Sequence, residues 1–297
     1  MGRELVVLAD GLSFLEGPRW RGDRLYVSDF FTLRVLAIGP DGTVETVCEV
    51  PGQPSGLGFA PDGSLLVASM LDRRILRLSG RRLSEHADLS GLAPFHLNDM
   101  LVDGSGGAWV GNFGWDAAAD PLIRSTVLLR VDPDGSARVA ADGLVFPNGI
   151  VLTADGETLL VAETFASRIT AFDVAPDGSL SNRRLWAALA DRLPGATMDE
   201  AFRSGLPLPD GLALDAEGAV WLGDAGGRAA LRVAEGGEIL DRVPTGDLVV
   251  YAVALGGTDG RTLALCTGPP FLETDHSVER RAQLLTCRVE VPGPGLA

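Results

Sequence analysis

A six-bladed β-propeller is the fold this sequence predicts, on three observations. One pattern recurs six times: a small or polar residue, apolar alternation, a Gly-centred turn, then a second apolar strand. Helical periodicity is nearly absent. Gly and Pro, 38 and 18 of 297 residues, punctuate the chain at short intervals. A unit this short cannot bury both of its faces alone, and radial stacking of such units is the propeller solution.

The elements follow in order. "ELVVLAD" near the N-terminus is a strand without a hairpin partner, whereas the last unit, ending in "LLTCRVEV", is one strand short. Pairing the two closes the ring and removes an open sheet edge. The six copies are "EGPRWRGDRLYVSD" from Glu16, "SGLGFAPDGSLLVASM" from Ser55, "NDMLVDGSGGAWVGNF" from Asn98, "NGIVLTADGETLLVAET" from Asn148, "DGLALDAEGAVWLGDA" from Asp210 and "AVALGGTDGRTLALCT" from Ala252. Between them lie strand segments such as "RILRLSG" and "RITAFDVAPDGSL", which bring each unit to about four strands. No linker, charge block or composition shift divides the chain, so residues 1–297 read as a single domain.

First strands line a propeller's central channel, so the repeat's opening position becomes a ring: Glu16, Ser55, Asn98, Asn148, Asp210, Ala252. Taken singly, Asn-Gly and Asp-Gly are ordinary turn sequences. Taken together, four of the six carry a carboxylate or amide oxygen into a channel walled by apolar strands, where unpaired carboxylates repel one another. A divalent cation resolves that conflict. All-oxygen donors with two carboxylates and no His or Cys cluster favour a hard ion, Ca²⁺ first, with Mg²⁺, Mn²⁺ and Zn²⁺ left open.

Strand parity puts the loops after each second and fourth strand on the ring's face. The long segments 112–126, 187–209 and 267–283 fall in those classes and form an expected roof over a small-molecule substrate; the "PDG" turns at 40–42, 133–135 and 176–178 fall on the far face. Within 187–209, "TMDEAFRSG" reads as a short capped helix that Gly205 stops.

Composition narrows the partners. A formal charge of −15 repels phosphate backbones and anionic headgroups, so neither nucleic acid nor a membrane surface is an expected partner. "LVVLA" is too short for a signal-peptide core and nothing approaches a spanning length, so the expectation is a soluble, cytoplasmic protein. Cys48, Cys266 and Cys287 lack metal-ligand spacing and receive no role.

With those motifs in order along essentially the whole chain, "EGPRW", "NDMLVDGSGGAWVGNF", "FPNGIVL", "SLSNRR" and "LPDGLALDAEGAVWLGD" resemble the senescence marker protein, gluconolactonase and regucalcin family of six-bladed propellers. The resemblance implies a divalent metal on the channel axis held by Glu16, Asn148 and Asp210, with Asn98 contacting substrate. Sugar-lactone hydrolysing members carry an Arg two residues before that Asn; here "FHLND" puts His96 there. The Arg fork suited to a polyhydroxylated substrate is missing. His96 is expected in the pocket as a hydrogen-bond donor or as a general acid or base, with a structural role as the alternative. Asp116 is matched to a carboxylate of the family's third-blade loop, with Trp115 and Phe113 as apolar walls.

The expected function is divalent-metal-dependent hydrolysis of a lactone or related cyclic ester less hydroxylated than a sugar lactone, with Asp210 supplying or orienting the base. Two alternatives stand beside it. One is the same metal propeller acting on phosphotriesters, or catalysing a condensation or cyclisation; the other is a metal- or ligand-binding module without catalysis.

Overall fold

The computed structural model describes residues 3–193 and 195–294; the single-domain reading of 1–297 also covers residues 1–2, 194 and 295–297, which lie outside the described residues. The chain forms six four-stranded antiparallel sheets arranged as the blades of a propeller. The innermost strands are Leu15–Arg21, Pro54–Phe59, Leu97–Val102, Pro147–Leu152, Pro209–Leu214 and Val249–Gly256. Each of the six ring residues lies in one of them. The N-terminal strand Val6–Leu12 is the outer strand of the sixth blade, paired antiparallel with Ala282–Arg288 in the register Val6 with Thr286 and Leu12 with Ala282. The ring closes as the strand count requires.

Two local features explain how the ring position of the inner strands comes to face the channel. First, the pairing register of every inner strand shifts at or beside the ring position, from Glu16 to Arg19 in the first blade and from Pro147 to Ile150 in the fourth. A bulge frees a side chain from the ladder and re-aims it, here toward the channel. Second, Gly follows the ring residue in four blades because neighbouring inner strands nearly touch. A Cβ on Gly17 would sit 2.7 Å from the Ser55 carbonyl oxygen, and one on Gly149 would sit 2.5 Å from the Leu212 amide nitrogen. Gly149→Ala is therefore expected to cost about 1–3 kcal/mol by overpacking backbone against backbone. Denaturant unfolding checks this, and an unchanged midpoint would show that the inner strands can spread.

A second polar position recurs at the far end of the second strand. Asp29, Glu163 and Asp224 are buried there and accept hydrogen bonds from the backbone entering their own blade's inner strand: Phe14 N to Asp29 at 3.1 Å, Val145 N to Glu163 at 2.8 Å and Leu208 N to Asp224 at 2.9 Å. These carboxylates pin the chain two or three residues ahead of Glu16, Asn148 and Asp210. Elsewhere the space between blades is filled by apolar side chains; blades four and five, for example, share Leu160, Ile169, Leu212 and Leu231.

The helix α1, Met198–Arg203, begins at Thr197 with a reciprocal capping box to Glu200, and Gly205 follows it with φ +70°. Ile123 N donates to Ala196 O at 2.8 Å, joining the 112–126 and 187–209 segments into one roof.

Candidate metal centre and pocket

At the channel mouth Glu16, Asn98, Asn148 and Asp210 are all buried and all line one cavity of about 80 Å³. Ser55 and Ala252 do not reach it. Phe113 of 112–126, Met198 and Phe202 of 187–209, and Phe271 of 267–283 line the same cavity, so all three long segments meet over the ring.

Hydrogen bonds fix the amides. Thr164 Oγ1 donates to Pro209 O at 2.8 Å, so toward Asn148 it can only accept, and it takes the Asn148 Nδ2 hydrogen at 3.3 Å. The Asn148 Oδ1 is left buried and unpartnered, as is the Asp210 Oδ1. Asn98 Nδ2 likewise points at Pro147 O across the blade boundary, at 3.4 Å.

Burial raises the Glu16 carboxyl well above the ordinary range, and the charges of Asp210 and Asp99 add to the rise. Asp210 is raised in the same way, by burial first and by Asp99 second, with the Asn148 side chain opposing. Asp99 is a third buried carboxylate nearby, but Arg19 claims it at 3.0 Å and its own Oδ1 accepts the Met100 amide. No group of three His, Cys, Asp or Glu side chains suited to a metal occurs among the described residues. The set here is two carboxylates and two amides. Two orphaned acceptors beside a repelling carboxylate pair fit a hard cation, which supplies the positive charge and the missing partners together.

The remaining sequence candidates are placed unevenly. Phe113 lines the cavity. Trp115 is buried behind it, edge-on to Phe146 and Phe165, and is not part of the lining. Asp116 is exposed and accepts the Ala118 amide in its own turn. His96 is half-buried and outside the lining; its imidazole stacks on Phe95 at 3.9 Å and meets Phe113 edge-on at 6.0 Å. Burial lowers its pKa, with Asp116 opposing. Sequence reasoning missed most of the wall, including Phe14, Phe146, Phe165 and Tyr251. A signal existed for two of them: Phe14 and Phe146 each stand two residues before a ring position.

The profile of the SMP-30/Gluconolactonase/LRE-like region matches residues 14–268. The chain belongs to this family. Among SMP-30/gluconolactonase relatives, a 6-deoxy-6-sulfogluconolactonase from Pseudomonas putida is 28% identical, over 94% of this chain and 92% of the relative. A gluconolactonase structure from Xanthomonas campestris superposes with a TM-score of 0.74 at 25% identity, covering 98% of this chain and 90% of the other. A structure described as a calcium-binding regucalcin, from Agrobacterium tumefaciens, gives 0.78 at 20% identity, covering 99% and 95%, and shares the fold. No helix among the described residues is long and apolar enough to cross a membrane.

Proposed function

We propose that this protein hydrolyses a lactone or related cyclic ester with one divalent cation, Ca²⁺ first, held by Glu16, Asn148 and Asp210. The observation that carries the metal is the pair of buried, unpartnered oxygens on Asn148 and Asp210. Relatives named as lactonases support the reaction class, and the description of the regucalcin neighbour as calcium-binding supports the ion. When bound, the cation polarises the ester carbonyl and stabilises the negative charge that develops on its oxygen.

The chain's own residues do the rest. Asp210 takes the proton of the attacking water as the new carbon–oxygen bond forms. The ring carbon–oxygen bond then breaks and the departing oxygen takes that proton from Asp210, leaving an open hydroxy acid. Asn98, held by Pro147 O, orients the substrate. The aromatic wall excludes bulk water. His96 in place of an Arg fork goes with a substrate that has fewer hydroxyls than a sugar lactone. Three free cysteines accord with a reducing, cytoplasmic setting.

The test is turnover of a lactone panel with and without a chelator. Activity on at least one lactone, lost on chelation and restored by Ca²⁺, is expected; undiminished turnover in chelator, or none on any lactone, overturns the reading. His96 acts in it as a positioning residue behind Phe113. His96→Gln removes an aromatic contact of about 0.5–1.5 kcal/mol, so KM rises about two- to tenfold. The shape of the pH–rate profile stays the same. A lost pH limb would instead make His96 the proton carrier.

A further inference from the structure

Seven rings form a continuous collar around the cavity. Phe113 stacks on Phe146 at 4.7 Å, and the chain of contacts runs on through Phe165, Phe202, Phe271 and Phe14 to Tyr251, with centroid separations of 4.5 to 6.1 Å. Above the four ring residues, the only polar side-chain groups of the lining among the described residues are the hydroxyls of Thr164 and Tyr251. Both donor hydrogens are spent on backbone, on Pro209 O and Pro269 O. No Lys, Arg or His belongs to the lining among the described residues.

A sugar lactone would bring several hydroxyls into this collar and lose their water without replacement. An anionic one would find no cationic side chain in the lining to pair with its charge at the apolar end. A flat apolar group, by contrast, stacks on every wall. The collar also has a partition. Phe202 of α1 and Phe271 stack at 6.1 Å and 21°, and these two with Ala225 also bound a second cavity of about 170 Å³ that carries Arg203, Arg228 and Glu273.

We propose that this pocket takes an uncharged cyclic ester bearing a compact aromatic or hydrocarbon group, and that the Phe202–Phe271 pair sets the length of that group. The reacting end rests on the lactone-hydrolase reading above; the recognition of the apolar end does not.

Ligand-observed NMR on the Ca²⁺-loaded protein separates the two, because its probes are not hydrolysed. β-Tetralone, the carbocyclic counterpart of an aryl lactone, is expected to bind at least about tenfold more tightly than anhydroglucitol, the hydroxylated counterpart of a sugar lactone. Equal affinity, or the reverse order, overturns the proposal whether or not any lactone is turned over. A β-tetralone extended by a hexyl chain should bind weakly to the unmodified protein and about tenfold more tightly to Phe202→Ala or Phe271→Ala, each shown to be folded by its melting transition. No gain in either variant overturns the length limit.

Discussion

Asp210→Asn is expected to lower kcat by about 10²- to 10⁴-fold, the range a positioned general base contributes, while the protein still folds. The substitution keeps an oxygen near the Asn148 amide and the Gly211 backbone but removes both the charge and the proton acceptor. Calcium binding weakens in parallel, because affinity in an all-oxygen site follows the number of carboxylates. Without metal the sign reverses. Asp210 lies buried near Glu16 and Asp99, so removing its charge relieves repulsion, and the metal-free variant should melt no lower than the metal-free parent. Calorimetric calcium titration, steady-state rates and melting with and without chelator make the three measurements. Undiminished calcium affinity would remove Asp210 from the metal set.

The ring was legible in the sequence because it is a repeat feature. Glu16, Asn148 and Asp210 differ in type but share one position in the unit, and propeller symmetry turns a shared position into proximity. Their spacing could not announce the bulge at each position, since bulges are set by pairing with the second strand. The Gly after four of the ring residues read as a turn former in sequence. In the fold it mainly permits the close approach of adjacent inner strands.

The collar was less legible for a physical reason. Phe14 and Phe146 precede inner strands, Phe30 and Phe165 sit in single turns after second strands, and Phe202 and Phe271 come from segments of unequal length. Only the first pair occupies a repeat position. Insertions carry no symmetry, so the meeting of Phe202 with Phe271 is a tertiary fact that no period encodes. Trp115 and Asp116 show the converse: placed by local likeness, neither belongs to the cavity lining, Trp115 packing behind it against Phe146 and Phe165 and Asp116 bonding the Ala118 amide in its own turn.

Glu163→Ala is expected to destabilise the fold by about 3–5 kcal/mol, as breaking a buried charge network does. The Glu163 carboxylate is fully buried and accepts from Arg168 through two bonds at 2.9 and 2.8 Å, from Thr170 and from the Val145 amide. Removing it strands the hydroxyl and the amide and frees the chain that delivers Phe146 and Asn148. Arg168 and Arg183 are about one-third exposed and regain water, so their share of the loss is the smaller one. Although burial alone would raise its pKa, the bonds from Arg168 and Thr170 prevail and hold Glu163 below its ordinary value of 4.5. A depressed carboxylate contributes stability that is fully present above its unfolded pKa and is lost as pH falls through its folded pKa. The stability gap between parent and Glu163→Gln, which keeps the shape and loses the charge, should therefore be widest near neutrality and narrow below about pH 4.5. Denaturant unfolding of both proteins across that range decides it. A gap independent of pH would mean that the packing of the side chain, rather than its charge, holds the entry to the fourth blade.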